Sequence, residues 1–362
     1  MGKLRLALGW VVACSLPLAL GTGASAGGGS PAGQRGSQAD GRGPGGADER
    51  APAVGASSIA DGVAVLGRWA REWGERRDCV SCHTNGWALA ALPEVAGASG
   101  ELEELRSFAR EYLTRFLDGD DEPHGQHGSV EGMVSTAAFL ALSDARLGEA
   151  VHPVTRRALD HAWETLGTDG VWEDWLACNW PPYESDLRFG PALMLVALGE
   201  LREIGGARPA DLHAARRLAD GLREHPPPGL HDAAMRLWAA SFWPRVASRA
   251  DRAAWRGRLI GAVGSDGGWS MASLAAPDWK RDGGGPQADT SEAYPTAFSA
   301  YVLLRTGSSP SDAPVAAALG WLRDHRGPDG TWTTRSPRRD GKHYIGRAAT
   351  ALALLVLAAD DG

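Results

Sequence analysis

From about Ile59 onward the chain alternates two kinds of apolar pattern. In one, apolar residues recur every three or four positions with charges between them: Val63 to Arg76, Leu102 to Leu117, Pro153 to Leu166, Pro209 to Glu224, Asp251 to Val263 and Ala313 to Arg326. That period predicts amphipathic helices with one wet face. In the other, the segment is apolar or small nearly all the way round: Trp87 to Leu92, Met133 to Leu142, Gly190 to Leu198, Ala234 to Trp243, Pro295 to Leu304 and Ala348 to Ala358. Such helices must be buried on every side. Six of each in alternation predict an inner ring of apolar helices inside an outer ring of amphipathic ones, an all-α, α6/α6 toroid. No segment holds the period of two that a sheet requires, which disfavours an α/β fold.

A recurring turn supports the repeat: Asp169-Gly170-Val171-Trp172, Asp266-Gly267-Gly268-Trp269 and Asp329-Gly330-Thr331-Trp332. Each follows an outer segment, where Asp-Gly makes a tight turn and the Trp ring can wedge between units. With the segments Asp289 to Gly307 and Arg347 to Leu357, these turns resemble the tryptophan-containing repeats of the squalene-hopene cyclase and prenyltransferase superfamily. The resemblance runs from about Ser58 to the C-terminus and implies an α/α barrel. That family's repeat carries Gln four residues before the Gly, whereas Leu166, Val263 and Arg326 stand here. The resemblance therefore implies the scaffold without the cyclase activity.

At 362 residues, with 43% hydrophobic residues and 15 tryptophans, the chain is ample for a sizeable core. A net charge of -7 without a long basic run argues against nucleic acid as partner. Met1 to Ala26 reads as a signal peptide: Lys3 and Arg5, an apolar run from Leu6 to Leu20, then Ala24-Ser25-Ala26. Cys14 offers an alternative lipid anchor, so the expected setting is exported, periplasmic or tethered on the outer side of a membrane. Residues 27–58, rich in Gly, Ala, Ser and Pro, read as a disordered linker. Residues 59–362 are left for the toroid.

The sharpest chemical motif is Cys79-Val80-Ser81-Cys82-His83, the attachment pattern of a c-type haem: two thiols for thioethers and an imidazole for the iron. No βαβ pattern flanks it and no second ligand pair accompanies it, which disfavours thioredoxin-like and zinc readings. In a closed ring every loop from an outer to an inner helix emerges at one rim, so units two and six flank this motif. They supply His124, His127 and His343 as candidates for the second iron ligand, His127 favoured, while Met133 reads as core. An open sixth iron position is the alternative.

The same rim carries carboxylates. Asp118-Gly119-Asp120-Asp121 satisfies the Asp-x-Asp-Asp that the resemblance to class II terpene cyclases implies for protonating an alkene, since clustered acids raise a pKa. Asp289-Thr290-Ser291-Glu292 precedes an inner helix, where it also fits a capping box. Tyr183-Glu184-Ser185-Asp186, beside Trp175 and Trp180, has the same double reading, and Cys178 reads as a small buried residue. Three functions compete. The first is an exported haem c protein, possessing an electron-transfer partner or acting as a haem-dependent oxidoreductase on a ligand in the cavity. The second is a terpenoid cyclase-like isomerase that takes a hydrophobic small molecule to the rim carboxylates. The third is a non-catalytic binding scaffold.

Overall fold

The two patterns become two concentric layers. The computed structural model describes residues 57–80, 83–119, 130–172, 175, 182, 188–341 and 344–361. The expected leader and nearly all of the linker lie outside them. The outer helices are α1 (Ser57–Arg77), α3 (Gly100–Asp118), α5 (Pro153–Thr165), α7 (Pro209–Glu224), α9 (Arg249–Gly261) and α12 (Ala313–Asp324). Between them run the inner helices α2 (Asn85–Ala96), α4 (Val130–Arg146), α6 (Phe189–Glu203), α8 (Leu230–Phe242), α11 (Ala293–Arg305) and α13 (Ile345–Asp361). Inner neighbours pack in the order α2, α4, α6, α8, α11, α13, and α13 returns to α2, so the ring closes. All twelve expected segments are helical, and the α6/α6 toroid stands.

Composition explains the layering. Every residue of α6 from Phe189 to Leu201, and of α11 from Ala293 to Leu303, is buried. In α9 only Leu259 is fully buried and the rest faces or borders water. Local signals set the ends: Pro opens α5, α7 and α12, where a missing N–H costs nothing. Ser248 and Asp251 cap α9 reciprocally.

The three Asp-Gly-x-Trp turns share one construction. The Asp carboxylates of Asp169, Asp266 and Asp329 accept from the backbone N–H two residues on, at 3.3, 3.2 and 3.2 Å. The indole N–H of Trp172, Trp269 and Trp332 donates to the carbonyls of Ala162, Leu259 and Leu322, at 2.9, 2.8 and 2.7 Å. Each bond reaches ten residues back into the preceding outer helix, so the ring of each Trp is fully buried under it. The central glycine sits at positive φ against the next outer helix; a Cβ on Gly170 would stand 2.4 Å from the Arg217 carbonyl oxygen.

One unit departs from the expected pattern. Between α9 and α11 the chain makes an excursion containing a four-residue helix, α10 (Met271–Leu274), and a single antiparallel bridge between Ser270 and Ser291. No period marks it in the sequence. It brings Trp279 over the start of α8.

The two ends of the ring differ. At the C-terminal ends of the inner helices Arg146 donates to both oxygens of Glu200 at 2.8 Å, to the Ala90 carbonyl at 2.8 Å and to the Tyr301 hydroxyl at 3.0 Å. Arg146 also pairs with Glu94 at 2.9 Å, and Arg305 reaches Glu200 at 2.9 Å. Side chains from α2, α4, α6 and α11 thus close that end. Burial alone would raise the Glu200 pKa, but Arg146 and Arg305 more than offset it and hold the carboxyl below its usual range.

Candidate functional site

The opposite end is built by the outer-to-inner loops. They interlock there: the Asp282 N–H donates to the Arg338 carbonyl at 2.7 Å, and the Gln287 side-chain amide to the Pro337 carbonyl at 2.8 Å. Arg115 grips Asp78 in the first loop.

Where α8 begins, two polar residues stand at the head of a helix that is otherwise almost wholly apolar. Gly229 lets the backbone of Ala275 and Ala276 lie over that start, because a Cβ would come 2.7 Å from the Ala276 nitrogen. The His231 ring stacks on Phe298, centroids 4.2 Å apart and 14° from parallel, and Trp279 covers it at 5.5 Å. His231 Nε2 and the Tyr294 hydroxyl share a hydrogen bond of 2.7 Å. The imidazole is 2% exposed, and burial pushes its pKa down to about 3, so it is neutral in any ordinary medium. Next to it, Asp232 is paired with Arg236 one turn on, at 2.7 Å. Arg236 is itself fixed by donating to the Leu222 carbonyl at 2.7 Å.

His231 and Asp232 border a small, partly open cavity of about 10 Å³ together with Pro182, Phe189, Pro228 and Trp279. That is room for roughly one water molecule. An anchored carboxylate and a neutral imidazole around a water-sized hollow can hold a water and take a proton from it. A wider groove of about 520 Å³ runs between α9 and α12 outside the ring, beside Asp266 and Trp321. There the Asp266 carboxylate is already engaged by Ser291, Gly268 and Trp321.

Several of the residues singled out in the sequence are among those described. Cys79 is 4% exposed and belongs to the hydrophobic core. His83 packs edge-on to Trp73 at 5.8 Å and against Tyr344 at 5.4 Å. Cys82, His124, His127 and His343 lie outside the described residues, as do Asp120, Asp121, Cys178 and the run from Tyr183 to Asp186. Asp118 ends α3 and accepts from Arg157 at 2.5 Å. Asp289 is exposed. Glu292 accepts from Thr334 at 2.9 Å and from the Arg335 guanidinium at 2.7 Å, tying loop five to loop six. Among the described residues no group of three or more His, Cys, Asp or Glu is placed to hold a metal ion.

No protein-family model and no curated protein sequence matches the chain. Solved structures do. A UGL variant with dGlcA-Glc-Rha-Glc aligns over 82% of this chain and 95% of its own at 13% identity, with a TM-score of 0.52. The unsaturated glucuronyl hydrolase of Bacillus sp. GL1, responsible for the degradation of glycosaminoglycan, aligns over 82% and 95% at 14% identity, with a TM-score of 0.50. These likenesses establish the α/α-toroid fold.

They also correct the sequence reading. The helical ring is matched among glucuronyl hydrolases, so the Trp turns mark α/α-toroid packing and do not single out squalene-hopene cyclases or prenyltransferases. The haem-protein function is not carried forward either: the solved structures that share this ring are glucuronyl hydrolases, and of the two motif thiols the described one, Cys79, is buried in the core. Neither the haem function, the cyclase nor the bare scaffold is carried forward. His231 and Asp232 were missed, although one signal was available: Asp232 and Arg236, one turn apart, stand in a helix whose remaining faces are apolar, where unpaired charge is costly.

Proposed function

We propose that the chain is a hydrolase of saccharides that contain a uronic acid, with its reaction centre at the head of α8. The observation that carries this reading is the water-sized cavity between Asp232 and His231 at the loop-built end of the ring. Asp232, paired with Arg236, is the base for the water; His231, neutral and held by Tyr294, orients it without adding charge. The saccharide class is supported by the two solved structures of the same fold, whose names concern glucuronyl hydrolysis and a dGlcA-bearing ligand. An exported chain, expected from Met1 to Ala26, suits a polymer that lies outside the cell.

The test is to incubate the purified chain with unsaturated glucuronyl oligosaccharides and with intact uronate polymers. The ultraviolet absorbance of the unsaturated uronyl double bond and the release of reducing ends are followed. Turnover that His231→Gln abolishes supports the reading. No turnover on any of them, or turnover indifferent to His231, contradicts it.

A further inference from the structure

The motif that dominates the sequence leads to a different feature. His83, Trp73 of α1 and Tyr344 ahead of α13 form an aromatic triad at the loop-built end, with centroids 5.8, 5.2 and 5.4 Å apart. Two guanidinium groups converge on the same indole: the Arg77 and Arg347 Cζ atoms lie 5.6 and 5.4 Å from the Trp73 ring. Arg347 also stands 5.7 Å from the Trp69 ring and donates to the Trp69 carbonyl at 3.2 Å. Neither Arg77 nor Arg347 has a carboxylate partner among the described residues.

Many other guanidinium groups of this chain are paired with carboxylates. Its acids outnumber its bases, and Arg106, Arg115, Arg146, Arg208 and Arg335 all sit on Asp or Glu. Nearby Arg76 is neutralised by Glu72 at 2.8 Å. A guanidinium offers five N–H donors in a planar fork, and Arg347 spends one of them on Trp69. Two like charges against one ring repel, and cation–π attraction of about 0.5–2 kcal/mol each offsets this only in part. The Trp73 indole N–H is buried without a partner. Trp73, Tyr344 and His83 are all partly exposed and Arg77 is exposed, so a carboxylate can reach the guanidinium groups from solvent.

We infer that this seam between the first and last units is a binding subsite for an acidic sugar, in which Arg347 and Arg77 take the carboxylate and the exposed edge of the aromatic cluster borders the sugar ring. The inference rests on the saccharide reading above and places the recognition of the uronate charge away from the α8 centre.

Isothermal titration calorimetry with D-glucuronate, D-glucose and sodium sulfate tests it. Glucuronate binds more tightly than either control. Arg347→Gln and Arg77→Gln each weaken it by about tenfold or more, as loss of a charge-assisted hydrogen bond does. Arg77 is exposed at the end of α1, so its variant separates binding from folding should Arg347→Gln loosen the α1–α13 contact. Glucuronate binding indifferent to both substitutions overturns the subsite. So does sulfate binding as tightly as glucuronate, which would leave a bare oxyanion site. His231→Gln leaves this binding intact. Arg347-dependent binding without turnover therefore removes only the hydrolase reading, and turnover without Arg347-dependent binding removes only the subsite.

Discussion

Tyr294 on α11 and His231 on α8 meet in a 2.7 Å hydrogen bond between neighbouring inner helices, 63 residues apart. The bond holds a ring that burial has made neutral, with a pKa of about 3. The unfolded imidazole takes a proton below about pH 6.5, so the unfolded state binds more protons in the interval between. Stability therefore falls as pH falls from about 6.5 towards 3, by about 1.4 kcal/mol per unit for this one group. Urea titrations at pH 6 and 5 should show His231→Gln losing about that much less than the parent over the interval.

The turn glycines make a paired prediction. Gly221 on α7 faces the Asp169 carbonyl, and a Cβ there would stand 2.2 Å from its oxygen. Gly221→Ala should cost about 1–3 kcal/mol, since backbone on both sides must move. Gly257, inside α9, has nothing within 4 Å of an added Cβ. Gly257→Ala should stabilise by about 0.5–1 kcal/mol from helix propensity alone. Thermal unfolding of the two variants checks the opposite signs.

The closed end of the ring responds to loss of one partner. Arg146 joins four inner helices through Glu200, Glu94, Ala90 and Tyr301. Arg146→Ala leaves buried Glu200 with Arg305 as its remaining partner and should cost up to about 3 kcal/mol, read by urea denaturation at neutral pH. Glu200 has a lowered pKa, so its contribution is full above the unfolded value near pH 4.3 and is lost as pH drops through the folded one. Glu200→Gln should flatten that acid limb.

The helices were legible because burial on one face or on all faces leaves a period in the sequence. Val63 to Arg76 and Gly190 to Leu198 are sharply different strings. The Asp-Gly-x-Trp turns were legible for a similar reason, since left-handed backbone and a buried indole restrict residue choice. The site was not. His231 and Asp232 occupy a first turn, where polar residues are ordinary. Their partners Tyr294, Phe298 and Trp279 come from elements that only the closed ring brings together. The excursion around α10 has no period to read. The burial of Cys79 was not legible either, because a buried thiol packs as a small apolar residue and the spacing to Cys82 and His83 carries no sign of it.

In the reading proposed above, Asp232 and His231 hold a water for saccharide hydrolysis. Its most direct measurement is the rate at which unsaturated glucuronyl oligosaccharide loses its ultraviolet absorbance, compared between the parent chain and Asp232→Asn with folding verified by circular dichroism. Measurable turnover is expected in the parent, with a loss of at least about a hundredfold in the variant. A folded variant that turns over at the parent rate would contradict it.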